Sequence, residues 1–168
     1  MIEVEVVGVR IELPSNQPLV LLKEKQGERH LPIWIGTAEA SAIALAQQHV
    51  VPPRPLTHDL LVNVVHGLGR QVVSATIVAV QDSVFYAQLG FDDGTVIESR
   101  ASDALAVALR VNCRIWCADA VLEEAGVQLA EGSEEGAEEA TPTPEEEERE
   151  MRRFREFLAD VEPEDFDE

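Results

Sequence analysis

The sequence predicts an α+β domain, mostly antiparallel sheet packed with small-residue-rich helices, followed by an acidic C-terminal extension. Three observations carry that prediction. The first thirty-five or so residues hold three period-two runs on short connections, the pattern of an antiparallel meander. Two Ala-rich stretches, AEASAIALAQQ and ASDALAVALR, each follow a strand-like run and have helix-forming composition. The charge is also partitioned: residues 1–127 hold 9 Lys+Arg against 15 Asp+Glu, net −6, whereas residues 128–168 hold 4 against 17, net −13 of the total −19.

Taken in order, Ile2 to Leu13 reads as one long strand with Val4, Val6 and Gly8 on one face and Glu3, Glu5 and Val7 on the other. Pro14 to Gln17 is turn chemistry, Leu19 to Lys25 returns as a second strand, and Gly27 precedes a third from Arg29 to Ile35. Thr37 is placed to cap the first helix, whose small side chains allow close approach to a sheet. Pro52, Pro53 and Pro55 make Val50 to Leu56 a loop, because proline has no amide hydrogen to give a helix or ladder.

Thr57 then caps HDLLVNVVHGLG, which Gly67 and Gly69 end. Leu60, Leu61, Val64, Val65 and Leu68 form its apolar side, and Asp59, Asn63, His66 and Arg70 recur as a polar stripe. Gln71 to Val80 and Val84 to Phe91 are strands, and Asp92–Asp93–Gly94 is a hairpin turn leading into a strand from Thr95 to Arg100. Ser102 is the expected N-cap of the next helix, which is apolar nearly all round and therefore buried. Asp103 lies in its first turn and Arg110 in its last, each favourable to the helix dipole; at about two turns apart they share a face and are expected to pair. Arg114 to Ala118 is a short strand, and Asp119 caps a closing helix that ends near Gly126. HLPIWIGTAEASAIALA and TVIESRASDALAVALR echo one another as strand, turn, cap and small-residue helix.

Residues 128–144 form an acidic linker too poor in apolar residues to build a core, so disorder is expected there. In 145–168, Met151, Phe154, Phe157, Leu158 and Val161 recur at helical spacing, an amphipathic acidic helix suited to docking on its own domain, a sister subunit or another protein. No run approaches 18 apolar residues, and the acidic, strand-like N-terminus does not read as a signal peptide. A cytoplasmic protein with no membrane association is expected. Cys113 and Cys117 read as core thiols, too few for a zinc site. Neither half has the basic patch expected of a phosphate-backbone binder.

Candidate chemistry gathers near the second Ala-rich helix. Asp92, Asp93, Glu98 and Arg100 resemble the acid-and-lysine layout of metal-dependent nucleases, with Arg standing where Lys is usual; the two Asp residues equally suit an ordinary turn. The Asp59/His66 stripe can supply a metal ligand or a base, or be a solvated helix face. His30, His49 and His58 stand isolated in the sequence. There is no HExxH, Gly-rich phosphate loop or GxSxG.

Three blocks, LPIWIGTAEASAIA, RPLTHDLLVN and ESRASDALAVALR, resemble in order and spacing the bifunctional nuclease (BFN) domain family across residues 1–127. Ala101 departs from the family's frequent Pro in the third block, and the acidic tail lies outside the shared region. The resemblance implies a compact α+β domain, self-association into dimers and, for some members, metal-supported cleavage of RNA and DNA.

The leading expectation is therefore a divalent-metal-dependent nuclease acting on RNA and DNA. Its catalytic candidates are Glu98, Asp103, His66, Arg100 and Arg110, and its metal ligands Glu39, Asp59 and Asp103, holding Mg²⁺ or Mn²⁺. In these roles His66 activates water and the arginines contact phosphate. The rival is a non-catalytic oligomeric scaffold or regulator whose acidic tail helix docks on a partner.

Overall fold

Alternating valines make a strand of Ile2–Glu12 (β1), but one extra residue changes which of them face inward. Val6 is opposite Leu22 and Gly8 is opposite Leu21, so Val7 bulges out of the ladder. Beyond the bulge the inward position passes to Val9, opposite the fully buried Val20. The expected face of Val4, Val6 and Gly8 is thus corrected at Gly8.

The computed structural model describes residues 1–128. The expectations for the acidic linker and the terminal amphipathic helix lie outside the described residues, apart from Gln128.

After β1 come Gln17–Glu24 (β2), Arg29–Trp34 (β3), Thr37–Gln47 (α1), Thr57–Gly67 (α2), Val72–Gln81 (β4) and Val84–Phe91 (β5). Val96–Arg100 (β6), Ala101–Val111 (α3), Arg114–Cys117 (β7), Asp119–Ala125 (α4) and Val127–Gln128 (β8) complete the described chain. All eight strands join one sheet in the order β6-β5-β4-β7-β1-β2-β3-β8. Every pairing is antiparallel except β4 with β7. The architecture is α+β with a mostly antiparallel sheet, as expected. Two pieces were not anticipated: the parallel β4–β7 pair and the two-residue edge strand β8.

The element order repeats. β1-β2-β3-α1 and β4-β5-β6-α3 are both three-stranded meanders followed by a helix, and β7 lies between them in the sheet. The echo in the sequence thus corresponds to a repeated arrangement of elements.

Helix starts fall one or two residues earlier than side-chain capping predicts. Gly36, Leu56, Arg100 and Ala118 are the N-cap residues, all extended, and none caps with its side chain. Thr37, Thr57 and Asp119 are instead the first helical residues, and Ser102 the second of α3. The reason is that the last extended residue already has the φ/ψ an N-cap needs. At α2 the cap is completed from inside, as the Leu56 N–H donates to Asp59 Oδ2 at 2.8 Å. At the other end of α3, Asn112 takes the left-handed conformation (φ 53°, ψ 41°) that Asn tolerates and that ends a helix.

The core is built from Val20, Leu22, Leu31, Ile43, Ile77, Leu105 and Leu122, with the alanines of α3. α3 packs on β4 and β5 and against α1 and α2, while α4 packs on β3 and β4. Its small side chains let α3 occupy this centre, and Ala101, Ser102, Ala104–Ala108 are all buried. In contrast, α2 has no buried residue.

Candidate functional site

The site is assembled where α1, α2 and α3 begin. β6 runs straight into α3, so Arg100 ends the strand and Asp103 sits one turn into the helix. That spacing lets the Arg100 guanidinium fold back on Asp103, with Nε donating to Oδ2 at 2.7 Å and Nη2 to Oδ1 at 3.1 Å. A third nitrogen, Nη1, lies 2.9 Å from Glu39 Oε1 in the first turn of α1. From α2, His58 Nε2 meets Asp103 Oδ1 at 2.9 Å. The result is one chain of polar contacts, Glu39–Arg100–Asp103–His58, drawn from three helix N-termini.

Burial alone pushes the Asp103 carboxyl up, but hydrogen bonds from Arg100 and His58 outweigh it and hold the group below its ordinary value. Asp103 is therefore a carboxylate, able only to accept. The Arg100 guanidinium is held charged by Asp103 and Glu39 and remains largely exposed. A cavity of about 600 Å³ opens on the group, lined among others by Glu39, Ser41, Thr57, His58, Arg100 and Asp103. On the other side, a mainly apolar cavity of about 520 Å³ beneath α2 is reached by the same His58, Arg100 and Asp103 together with Glu98.

Asp59 and Arg110 form a separate unit. Arg110 Nε donates to Asp59 Oδ1 at 2.6 Å, and Nη1 donates to the carbonyls of Ala42 and Ala106 at 3.0 and 2.9 Å. Arg110 is thereby fixed by α1, α2 and α3 at once. Desolvation raises the Asp59 pKa, and the contacts with Arg110 and the Leu56 N–H more than reverse it. The expected Asp103–Arg110 pair is corrected: the two lie about 10 Å apart along the axis, and each finds a partner from another element.

Of the other expected residues, Glu98 is exposed on β6, two residues from Arg100 and on the same strand face. His66 lies eight residues beyond His58 on α2, is exposed and lines neither cavity of the Arg100–Asp103 group. Asp92 and Asp93 serve the turn, accepting from the Gln71 and Thr95 N–H groups at 3.1 and 3.0 Å. Asp93 also pairs with Arg70. The histidine that joins the site, His58, escaped sequence reasoning because its partner is 45 residues away. Its place in the first turn of the RPLTHDLLVN helix was the only available signal.

The metal ligands expected from sequence do not come together. Arg100 places positive charge between Glu39 and Asp103, while Asp59 faces Arg110 in the wall of another cavity. Among the described residues no group of three or more His, Cys, Asp or Glu is arranged to hold a metal. Mg²⁺ demands near-octahedral oxygen ligands around one point, and Mn²⁺ favours similar ones, so this donor set does not fit such an ion.

Residues 20–130 match the bifunctional nuclease domain. The chain belongs to that family. It is also 49% identical over 164 residues to two Mycobacterium tuberculosis proteins, covering 98% of this chain and 97% of each relative. Their names are "Uncharacterized protein MT1877" (strain CDC 1551 / Oshkosh) and "Uncharacterized protein Rv1829" (strain ATCC 25618 / H37Rv). All three residue blocks quoted above fall within the BFN match or the elements flanking the site, and the match includes Glu39, His58, Arg100 and Asp103. No helix among the described residues is long and apolar enough to cross a membrane.

Proposed function

We propose that this BFN domain is a nuclease that cleaves phosphodiester bonds in RNA and DNA, with His58, Arg100 and Asp103 at its working centre. One observation carries the reading. In a chain of this family, an exposed arginine, a carboxylate and a histidine are linked by hydrogen bonds at the mouth of a cavity ringed by helix N-termini. Phosphate is favoured there on two counts: the guanidinium matches its oxygens, and the helix dipoles present their positive ends. Arg100 is already shared between Glu39 and Asp103 and the domain carries a net charge of −6, so a phosphate here relies on the remaining Arg100 N–H donors and the helix N-termini rather than on a basic patch.

The test is cleavage of labelled RNA and single-stranded DNA by the full chain with Mg²⁺, Mn²⁺ or a chelator, beside Arg100→Ala and Asp103→Ala. Loss of cleavage in both variants supports the site. Equal cleavage by wild type and variants would point to a contaminant or a different centre.

A second reading, a non-catalytic oligomeric scaffold, is favoured by a specific observation. Leu60, Leu61 and Val64 of α2 and Leu68, which caps its C-terminus, are exposed, Leu60 at 56% and Leu68 at 77%. An apolar helix face of this kind is suited to a second copy of the chain. Self-association through α2 is compatible with either reading, and the cleavage assay separates them. A protein partner for the C-terminal segment lies outside the described residues.

A further inference from the structure

Helix α2 packs on α3, and a cavity of about 520 Å³ separates it from the sheet. Two cross-strand pairs, Val72 with Phe91 and Leu89 with Ile97, line it from the sheet side, and Leu61 and Val65 line it from α2. Val72 and Leu89 are buried, Phe91 and Val65 half-buried, and Leu61 and Ile97 exposed, so the lining stays apolar out to the surface. Apolar walls around a space this large forgo the contacts that close packing supplies, and an occupant restores them. The volume falls in the range of pockets that enclose small ligands. Its lining also takes in His58, Arg100 and Asp103, the same side chains that line the cavity among the helix N-termini. The group therefore borders both a place for an anion and a place for an apolar ring. Arg100 uses three of its five N–H donors on Asp103 and Glu39, which leaves two for a phosphate.

We infer that the cavity beneath α2 is a nucleobase pocket, filled by the base of a nucleotide whose phosphate is held at Arg100, so that the centre acts on unpaired nucleotides of RNA and DNA in preference to duplex. This rests on the nuclease reading and specifies the form of nucleic acid that reaches the centre. A nucleotide joins an anionic phosphate to a flat ring through one sugar, and Arg100 borders both cavities, so the two halves of a nucleotide have adjoining places. Phe91 supplies an aromatic surface and its aliphatic neighbours a dry one. Contact of this kind is sequence-tolerant, because every base has a π-face. Base and phosphate are common to RNA and DNA, so both are accepted, in keeping with the activity proposed for the centre. In a duplex the faces of a base are stacked and its edge is paired, so entry requires the nucleotide to leave the helix at an energetic cost. Duplexes are cleaved more slowly for that reason.

The experiment uses the full chain with end-labelled RNA and DNA oligonucleotides, in whichever of Mg²⁺, Mn²⁺ or a chelator supports cleavage. Each strand is offered alone, annealed to its complement, and with one nucleotide replaced by a stable abasic residue. The duplex should be cut about 10–10²-fold more slowly than the single strand in both RNA and DNA. Cleavage at one of the two phosphates flanking the abasic residue should fall by a similar factor. Val65→Trp, which fills the cavity, should slow cleavage at ordinary junctions and leave the abasic junction unchanged, so that the difference between them disappears. Equal rates on single strand and duplex, or an abasic residue that changes neither flanking junction, would overturn this inference and leave the nuclease reading standing. A folded Val65→Trp that keeps the wild-type preference for base-bearing junctions would do the same. No cleavage of any substrate under any condition would overturn both. The duplex and abasic substrates need no protein variant, so the inference is exposed to refutation even where Val65→Trp does not fold.

Discussion

Arg110 shows how a residue expected in chemistry can be committed to architecture. Its guanidinium is used by one carboxylate and two carbonyls, and its side chain is 10% exposed. Removing it leaves Asp59 half-buried with only the Leu56 N–H in place. Arg110→Met is therefore expected to cost about 2–3 kcal/mol, read as a lower urea midpoint. The Asp59 pKa is depressed from 3.8, so its contribution is complete above that value and is lost as pH falls through the lower, folded-state pKa. The stability difference between wild type and Asp59→Asn should accordingly be full at neutral pH and shrink below about pH 4. A difference that stayed constant down to about pH 2 would mean the carboxylate is not tied to Arg110 in solution. Cys117 makes a simpler case: burial pushes its thiol up to about 12. At mildly alkaline pH it should resist iodoacetamide in the native protein and react once urea unfolds the chain, as mass spectrometry of the labelled peptide would report. Rapid labelling of the native thiol would contradict its place in the core.

Among the elements, α3 and α2 are opposites in what surrounds them. α3 is enclosed by sheet and two helices, so its side chains act through volume. Leu105 is fully buried, and Leu105→Ala should destabilise by about 2–5 kcal/mol, with unfolding in urea shifted but still cooperative. The cost reflects lost burial together with the cavity left behind. Periodicity made α3 legible as a buried helix because an apolar run with charges only at its ends has no other stable place. The same reasoning misjudged α2. Its alternation of apolar and polar residues predicted an apolar side turned inward and a solvated stripe. Instead His58, Asp59, Val62 and Val65 are the half-buried residues, and Leu60, Leu61 and Val64 are exposed. An amphipathic pattern states that two faces differ, not which neighbour each one meets. Here the ion pair with Arg110 and the contact with Asp103 rotate the polar start of the helix toward α3.

At the scale of the molecule, the repeated β-β-β-α order places two strand-to-helix junctions near each other, although β3 and β6 lie far apart in the sheet. Glu39 comes from one junction and Arg100 from the other, and their contact closes the site across the repeat. The exposed face of α2 lies just outside it. A pair of charged substitutions there, Leu60→Glu with Val64→Glu, is expected to convert a dimer to a monomer in sedimentation velocity with little change in melting temperature. A wild-type chain that sediments as a monomer at tens of micromolar would rule out self-association through this face.

The sequence by itself determined the α+β class, seven of the eight strands, the four helices and the blocks that identify the family, because all of these rest on local periodicity, turn chemistry and composition. It also placed Arg100 and Asp103, three residues apart on one helix start, in the same neighbourhood. Only the tertiary structure decided that His58 completes their group, that Arg110 belongs with Asp59, and that Glu39, Asp59 and Asp103 do not converge as metal ligands. The physical reason is that a charged side chain settles with whichever opposite charge the packing brings within about 3 Å, and packing brings together residues that are dozens of positions apart. Spacing along one element can state which residues share a face. It cannot state what that face will meet.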